Sequence, residues 1–273
     1  MTIQRTSIDK GTSKLISYLI SIHIRRLTEM KSILNFHVFL ILFILGSSAH
    51  GKEQDTFPKQ LKFGVATSSF QVEGGWNASG KGESMWDRFM HEHPEYVIDH
   101  SNGDVACDSY HLWKTDIEML KDLGVHFYRF SLSWTRILPT GFSNRINSDG
   151  VKYYNNIINR LLESGIEPMI TLYHWDLPQN ILEIGGWTSI RTAEYFADFA
   201  RIAFRLFGDR VKKWITFNEP SSICKEPYES QTVIPLINLT GIGCYICGKT
   251  ILIAHSKAYH IYNKEFRKNR KVT

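Results

Sequence analysis

From Phe57 onward the chain alternates between short unbroken apolar runs and apolar positions spaced three and four apart. Short runs read as strands buried on both faces, and the wider spacing reads as helices with one apolar stripe. A first strand, LKFGVATSS, covers 61–69, and a long loop with Gly and Trp follows it. Leu112, Ile117, Leu120 and Leu123 place a helix over about 108–123, and Gly124 stops it. The second strand, VHFYRFSLSW, covers 125–134, and a loop holding Pro139 and Gly141 follows. Tyr154, Ile157, Ile158, Leu161 and Leu162 line one face of a helix over about 150–164, with Gly165 after it. EPMITLYHW gives a third strand over 167–175, and IGGW leads to a helix over about 189–207 that Gly208 closes. The fourth strand runs over 211–217, and a final helix covers about 245–266.

The centres of strands two, three and four lie near 129, 170 and 215. Steps of that length suit βα units, which build parallel sheets with right-handed crossovers. Such a sheet stays open and doubly wound or closes into a (β/α)8 barrel. GVATSSFQVEGG, after the first strand, lacks the dinucleotide glycine spacing, which weighs against the open sheet. Polar residues instead gather at strand ends: Gln71, His174 with Asp176, and Asn218 with Glu219. In barrels the loops after the strands build the site. The fold class is therefore α/β, a (β/α)8 barrel of which this chain carries about the first four βα units, a partial barrel.

Glu219 is the residue with most chemical promise. It closes an apolar run, where a carboxyl group beside an apolar wall suits a general acid. The plain alternative is a solvated strand-end residue or an ion pair. Asn218 offers an amide to a ligand hydroxyl, yet strand alternation sends neighbours to opposite faces. Both reach one pocket only if the strand ends or bulges there, and Pro220 favours that. Arg129 sits mid-strand, where a buried guanidinium demands a carboxylate partner. Taken alone, His174 suits a structural role, Trp175 suits core packing equally well, Gln71 is anonymous and Asp176 reads as a loop or cap residue.

Charge changes the picture little. Of the net +5, four fall in residues 1–51, which hold six Lys/Arg against two Asp/Glu. The remainder is nearly neutral, which argues against a nucleic-acid partner. The basic cluster at Lys264, Arg267, Lys268, Arg270 and Lys271 reads as a solvated helix end. Residues 30–51 read as a signal peptide: Lys31, an apolar stretch over 36–45, then GSSAHG. That stretch is too short for a stable membrane span. Residues 1–29 read as an over-extended start, with an amphipathic targeting helix as the rival reading. Cys107, Cys224, Cys244 and Cys247 suit disulfides in a secreted chain. The Cys244-Tyr-Ile-Cys247 spacing also raises a redox pair or zinc, but its apolar helical flank disfavours metal. The sequons at Asn77 and Asn238 are glycosylation candidates on the same secretory route.

Several motifs together carry a resemblance. TFNEP, YHWDLP, YRFSLSWTRILP, FGVATSSFQVEGG and SMWD resemble glycoside hydrolase family 1, the β-glucosidase family. NEPSSIC, NLTGIG and AHSKAYHIYNKEFR are most similar to insect-type β-glucosidases and myrosinases. The resemblance implies that Glu219 is the general acid/base, Asn218 holds the sugar 2-hydroxyl, and His174 donates to the 3-hydroxyl. It implies that Gln71 grips the 3- and 4-hydroxyls, that Arg129 pairs with the nucleophile and that Trp175 shapes the pocket. The family's nucleophile is the Glu of a Thr-Glu-Asn-Gly motif, which this sequence lacks. Glu226 and Glu229 follow Glu219 too closely and read as loop residues. KEPYES also puts Pro227 and Glu229 where insect-type relatives carry glycines. Plant-type myrosinases replace the acid with Gln, whereas Glu219 is intact here.

The expectation is a secreted β-glucosidase-type hydrolase with a retaining mechanism, in which 57–273 form the N-terminal half of the catalytic domain. The partner is a small-molecule β-glycoside, with no cofactor and no metal. The isolated chain is expected to be inactive, and its open sheet edges invite pairing with a second copy as a homodimer. Two alternatives stand: a non-catalytic glycoside-binding or receptor-like protein of the same fold, and a truncated gene model without independent function.

Overall fold

The computed structural model describes residues 57–267. The proposed start, signal peptide and the last residues of the basic cluster lie outside them. The chain divides after Leu61; residues 57–61 form a turn in which Leu61 N–H donates to the Pro58 carbonyl at 2.8 Å.

From Lys62 onward, four parallel strands form one sheet in the order of the chain: β1 (Gly64–Ala66), β2 (Phe127–Ser131), β3 (Glu167–Tyr173) and β4 (Lys213–Phe217). Ile170, Thr171 and Leu172 in β3 are fully buried, as a central parallel strand requires. The first strand is shorter than its apolar run because Ser69 N–H leaves the ladder and donates to Ser131 Oγ at 2.7 Å. The chain then turns into the short helix α1 (Ser69–Val72).

The long loop read after the first strand contains a further helix, α2 (Met85–Glu92). Ser84 and Asp87 form a reciprocal capping box at its start, a local signal in SMWD. Next come α3 (Ser109–Asp122) and α4 (Ser148–Glu163). Tyr153, Tyr154, Ile157, Ile158 and Leu161 bury one face of α4. Gly165 ends it at φ 72°, with Ile166 N–H donating to the Leu161 carbonyl at 2.9 Å. That left-handed position is why a glycine stands there.

Helix α5 (Thr192–Phe207) turns Phe196, Phe199, Phe204 and Phe207 into the core. Phe199 stacks on Trp134 at 4.8 Å and Phe196 on Phe217 at 4.5 Å, so α5 is pinned to β4 and to the turn after β2. Its alanines allow close packing of α7 (Gly243–Ile261), which buries Cys247, Ile251, Ala254 and Ala258.

Between them lies α6 (Pro220–Lys225), and the segment read as the KEPYES loop continues it as helix through Glu226–Ser230. Pro227 is the second residue of that continuation, and Tyr228 is buried. Cys224 forms a disulfide with Cys247, tying α6 to α7. The sequence left the pairing open; Cys244 is a free thiol. Among the described residues no cluster of His, Cys, Asp and Glu is set to hold a metal, and no helix is long and apolar enough to cross a membrane.

Candidate active site

The strand C-terminal ends hold a cavity of about 390 Å³ lined by Ser68, Phe70, Gln71, Trp86, His174, Trp175, Asn218, Glu219 and Val233. The residues singled out at three separate strand ends therefore share one concave surface.

Backbone geometry resolves the conflict between Asn218 and Glu219. The ladder continues one step past β4, where Asn218 N–H donates to the Tyr173 carbonyl at 3.0 Å. Glu219 then adopts φ 48° and ψ 63°, left-handed values that break the alternation. Both side chains consequently line the cavity, and Pro220 opens α6 behind them.

Arg129 is half-buried on β2 and meets neutral acceptors. Its Nε donates to Thr171 Oγ1 at 2.8 Å and its Nη2 to Asn218 Oδ1 at 2.6 Å. Among the described residues it has no ion pair; the carboxylate that the resemblance assigns to it is the nucleophile, whose motif this sequence lacks. The contact also turns the Asn218 amide so that its nitrogen is left to donate. Gln71 is arranged alike: Ser68 Oγ donates to its Oε1 at 2.6 Å, leaving the amide nitrogen and one oxygen lone pair.

His174 lies just past β3. Burial, and then the nearby Arg129 charge, push its pKa down to about 4, with Glu219 opposing. The ring is neutral at ordinary pH, and its buried Nδ1 has no partner among the described residues. Trp175, at φ 72°, is a wall and a brace. Its indole donates to the Asn218 carbonyl at 3.0 Å, and its own carbonyl accepts from the Trp86 indole at 2.8 Å. Glu226 and Glu229 are absent from the lining, as is Asp176, which is buried. Asn77 and Asn238 are exposed.

The sequence reading missed part of this surface. Trp86 is delivered by α2, whose capping box was visible. Phe70, stacked on Trp86 at 5.4 Å, and Val233 carried no local signal. Glu73 was also missed. It is buried, accepting from Arg136 Nε at 2.8 Å and from the Tyr154 hydroxyl at 2.6 Å.

A parallel βα sheet with amides, an imidazole, indoles and one carboxylate beyond its C-terminal edge defines a barrel-type enzyme class with a site suited to polyhydroxylated ligands. Residues 53–272 match the model for glycosyl hydrolase family 1, and the chain belongs to that family. It is 51% identical over 211 residues to Myrosinase 1 of Brevicoryne brassicae, covering 77% of this chain and 45% of that protein. It is 45% identical over 215 residues to the cytosolic beta-glucosidase of Cavia porcellus, covering 79% and 46%. Among solved structures, an aphid myrosinase aligns with TM-score 0.76 at 51% identity, covering 78% of this chain and 46% of that one. A Thermotoga maritima beta-glucosidase in complex with deoxynojirimycin aligns at 0.73 and 43% identity, covering 76% and 47%. The chain thus spans about half the length of the relatives it matches.

Proposed function

We propose that this chain carries the acid/base and hydroxyl-binding half of a β-glycosidase site, and that the whole protein hydrolyses O-glycosyl compounds with retention. One observation carries this reading: Gln71, His174, Asn218 and Glu219 line a single cavity. In the first step the Glu219 carboxylic acid gives its proton to the glycosidic oxygen as the bond to the anomeric carbon breaks. A second carboxylate attacks that carbon from the opposite face and forms a glycosyl ester. In the second step ionised Glu219 takes a proton from water, whose oxygen displaces the ester carboxylate and restores the original configuration. Asn218 donates to the 2-hydroxyl, neutral His174 to the 3-hydroxyl, and Gln71 serves the 3- and 4-hydroxyls.

A retaining pair stands about 5–5.5 Å apart. Glu219 is the one carboxylate in the lining among the described residues. The attacking group therefore comes from outside this lining, and the 273-residue chain turns over aryl β-glucosides poorly or not at all. That same observation favours a second reading, glycoside binding without turnover.

A chromogenic aryl β-glucoside assay on the chain and on Glu219→Gln, beside titration with methyl β-D-glucopyranoside, separates the outcomes. The expected result is turnover near background with glucoside binding that Gln71→Ala weakens. Turnover equal to complete family members and abolished by Glu219→Gln would overturn the half-site. Absence of any glucoside binding would overturn the glycoside reading.

A secretory route is part of the proposal, with 30–51 as signal peptide and 57–273 as the first half of the catalytic domain. The Cys224–Cys247 disulfide and the exposed sequons at Asn77 and Asn238 support it.

A further inference from the structure

Asp176 takes no part in the chemistry above, yet it is 2% exposed. Its Oδ2 accepts from Ser69 Oγ at 2.8 Å. Ser69 N–H donates to Ser131 Oγ at 2.7 Å, and Ser131 Oγ donates back to Ser69 Oγ at 3.1 Å. One buried cluster thus joins the start of α1, the last residue of β2 and the loop after β3. Gln71 lies two residues beyond Ser69, and His174 lies two residues before Asp176. β2 separates β1 from β3, so no ladder hydrogen bond couples those two segments.

We propose that Asp176 is a positioning residue, which through Ser69 fixes how Gln71 stands relative to His174 across the cavity. The inference rests on the proposed role of those two residues as sugar-hydroxyl ligands. The spacing they hold would then select which pattern of equatorial hydroxyls the site accepts. The charged groups around Asp176 are Glu73, Lys81, Asp87 and Arg136, which line a small void with it. Burial, reinforced by Glu73, pushes its carboxyl up to about 8, against the Ser69 bond and Lys81, which lower it. Above that pH the clamp carries an ionised carboxylate with two acidic and two basic neighbours, and it can still accept from Ser69.

The test uses the side-chain amide signal of Gln71 and the ring signals of His174, read by NMR in the full chain, with methyl β-D-glucopyranoside as the binding probe. Asp176→Ala and Ser69→Ala should move both sets of signals and weaken glucoside binding about tenfold, the value of one hydrogen bond. Asp176→Asn, which keeps a neutral acceptor for Ser69, should rescue both relative to Asp176→Ala. Signals that stay in place in both Asp176→Ala and Ser69→Ala would overturn the positioning role. An unsubstituted chain that binds no glucoside overturns the glycoside reading instead, and the signals still decide the clamp.

Discussion

A guanidinium that is 1% exposed, like Arg136, needs its charge matched inside the protein. Glu73 matches it from 63 residues away, and Tyr154 holds the other carboxylate oxygen. Nothing near either residue in sequence announces that pairing, so it was not legible. The strand-end residues were, because a polar group that stops an apolar run stands out locally. Glu73→Ala should lower stability by about 3–5 kcal/mol, the penalty of stranding a buried charge, read by denaturant midpoint. Two titrations set the pH profile. Asp176 is raised from its ordinary 3.8 to about 8, so its stabilisation is complete below pH 4 and is lost as pH rises to about 8. His174 is lowered from 6.5 to about 4, so its share is complete above pH 6.5 and is lost as pH falls toward 4. The two slopes oppose each other between pH 4 and 6.5, leaving Asp176 alone above that. Denaturation between pH 6.5 and 8 should show stability falling in the unsubstituted chain and a flatter profile in Asp176→Asn.

Helices with an apolar stripe and a glycine stop were readable to within a few residues, as α4 shows against the expected 150–164. Strands were read too long, because an apolar run continues after its ladder ends; β2 pairs only over Phe127–Ser131. The segment after α6 was misread because Pro227 and two glutamates suggest a loop, whereas tertiary contacts wind it as helix. A disulfide between residues 23 apart holds α6, which leads into that segment, against α7. Replacing both cysteines with alanine should cost about 3 kcal/mol by the loop-closure argument. The measurement is thermal or denaturant unfolding, with an unchanged midpoint as the contrary result.

At the scale of the molecule the sheet is open. Among the described residues β1 and β4 each pair on one side only, and open parallel edges promote association. The outer face of α7 adds Tyr245 and Leu252, 74% and 69% exposed. Most of the net charge lies in residues 1–51, so the sheet-bearing part has little repulsion to keep copies apart. Tyr245→Lys with Leu252→Lys should raise the monomer fraction in size-exclusion chromatography with light scattering, while leaving the unfolding midpoint nearly unchanged. A monomer fraction identical to the parent's would remove α7 from the account of association.

The backbone at Glu219 also bears on how this position tolerates change. A non-glycine residue at φ 48° sits where glycine or asparagine rests more easily, at a cost of about 1–3 kcal/mol. Selection for folding alone would therefore drift away from glutamate here. In a library of all twenty residues at position 219, sorted only for resistance to proteolysis, Gly and Asn should be enriched over Glu. A preference for Glu under that sorting would mean the fold itself wants this side chain, and its presence would no longer be a mark left by function.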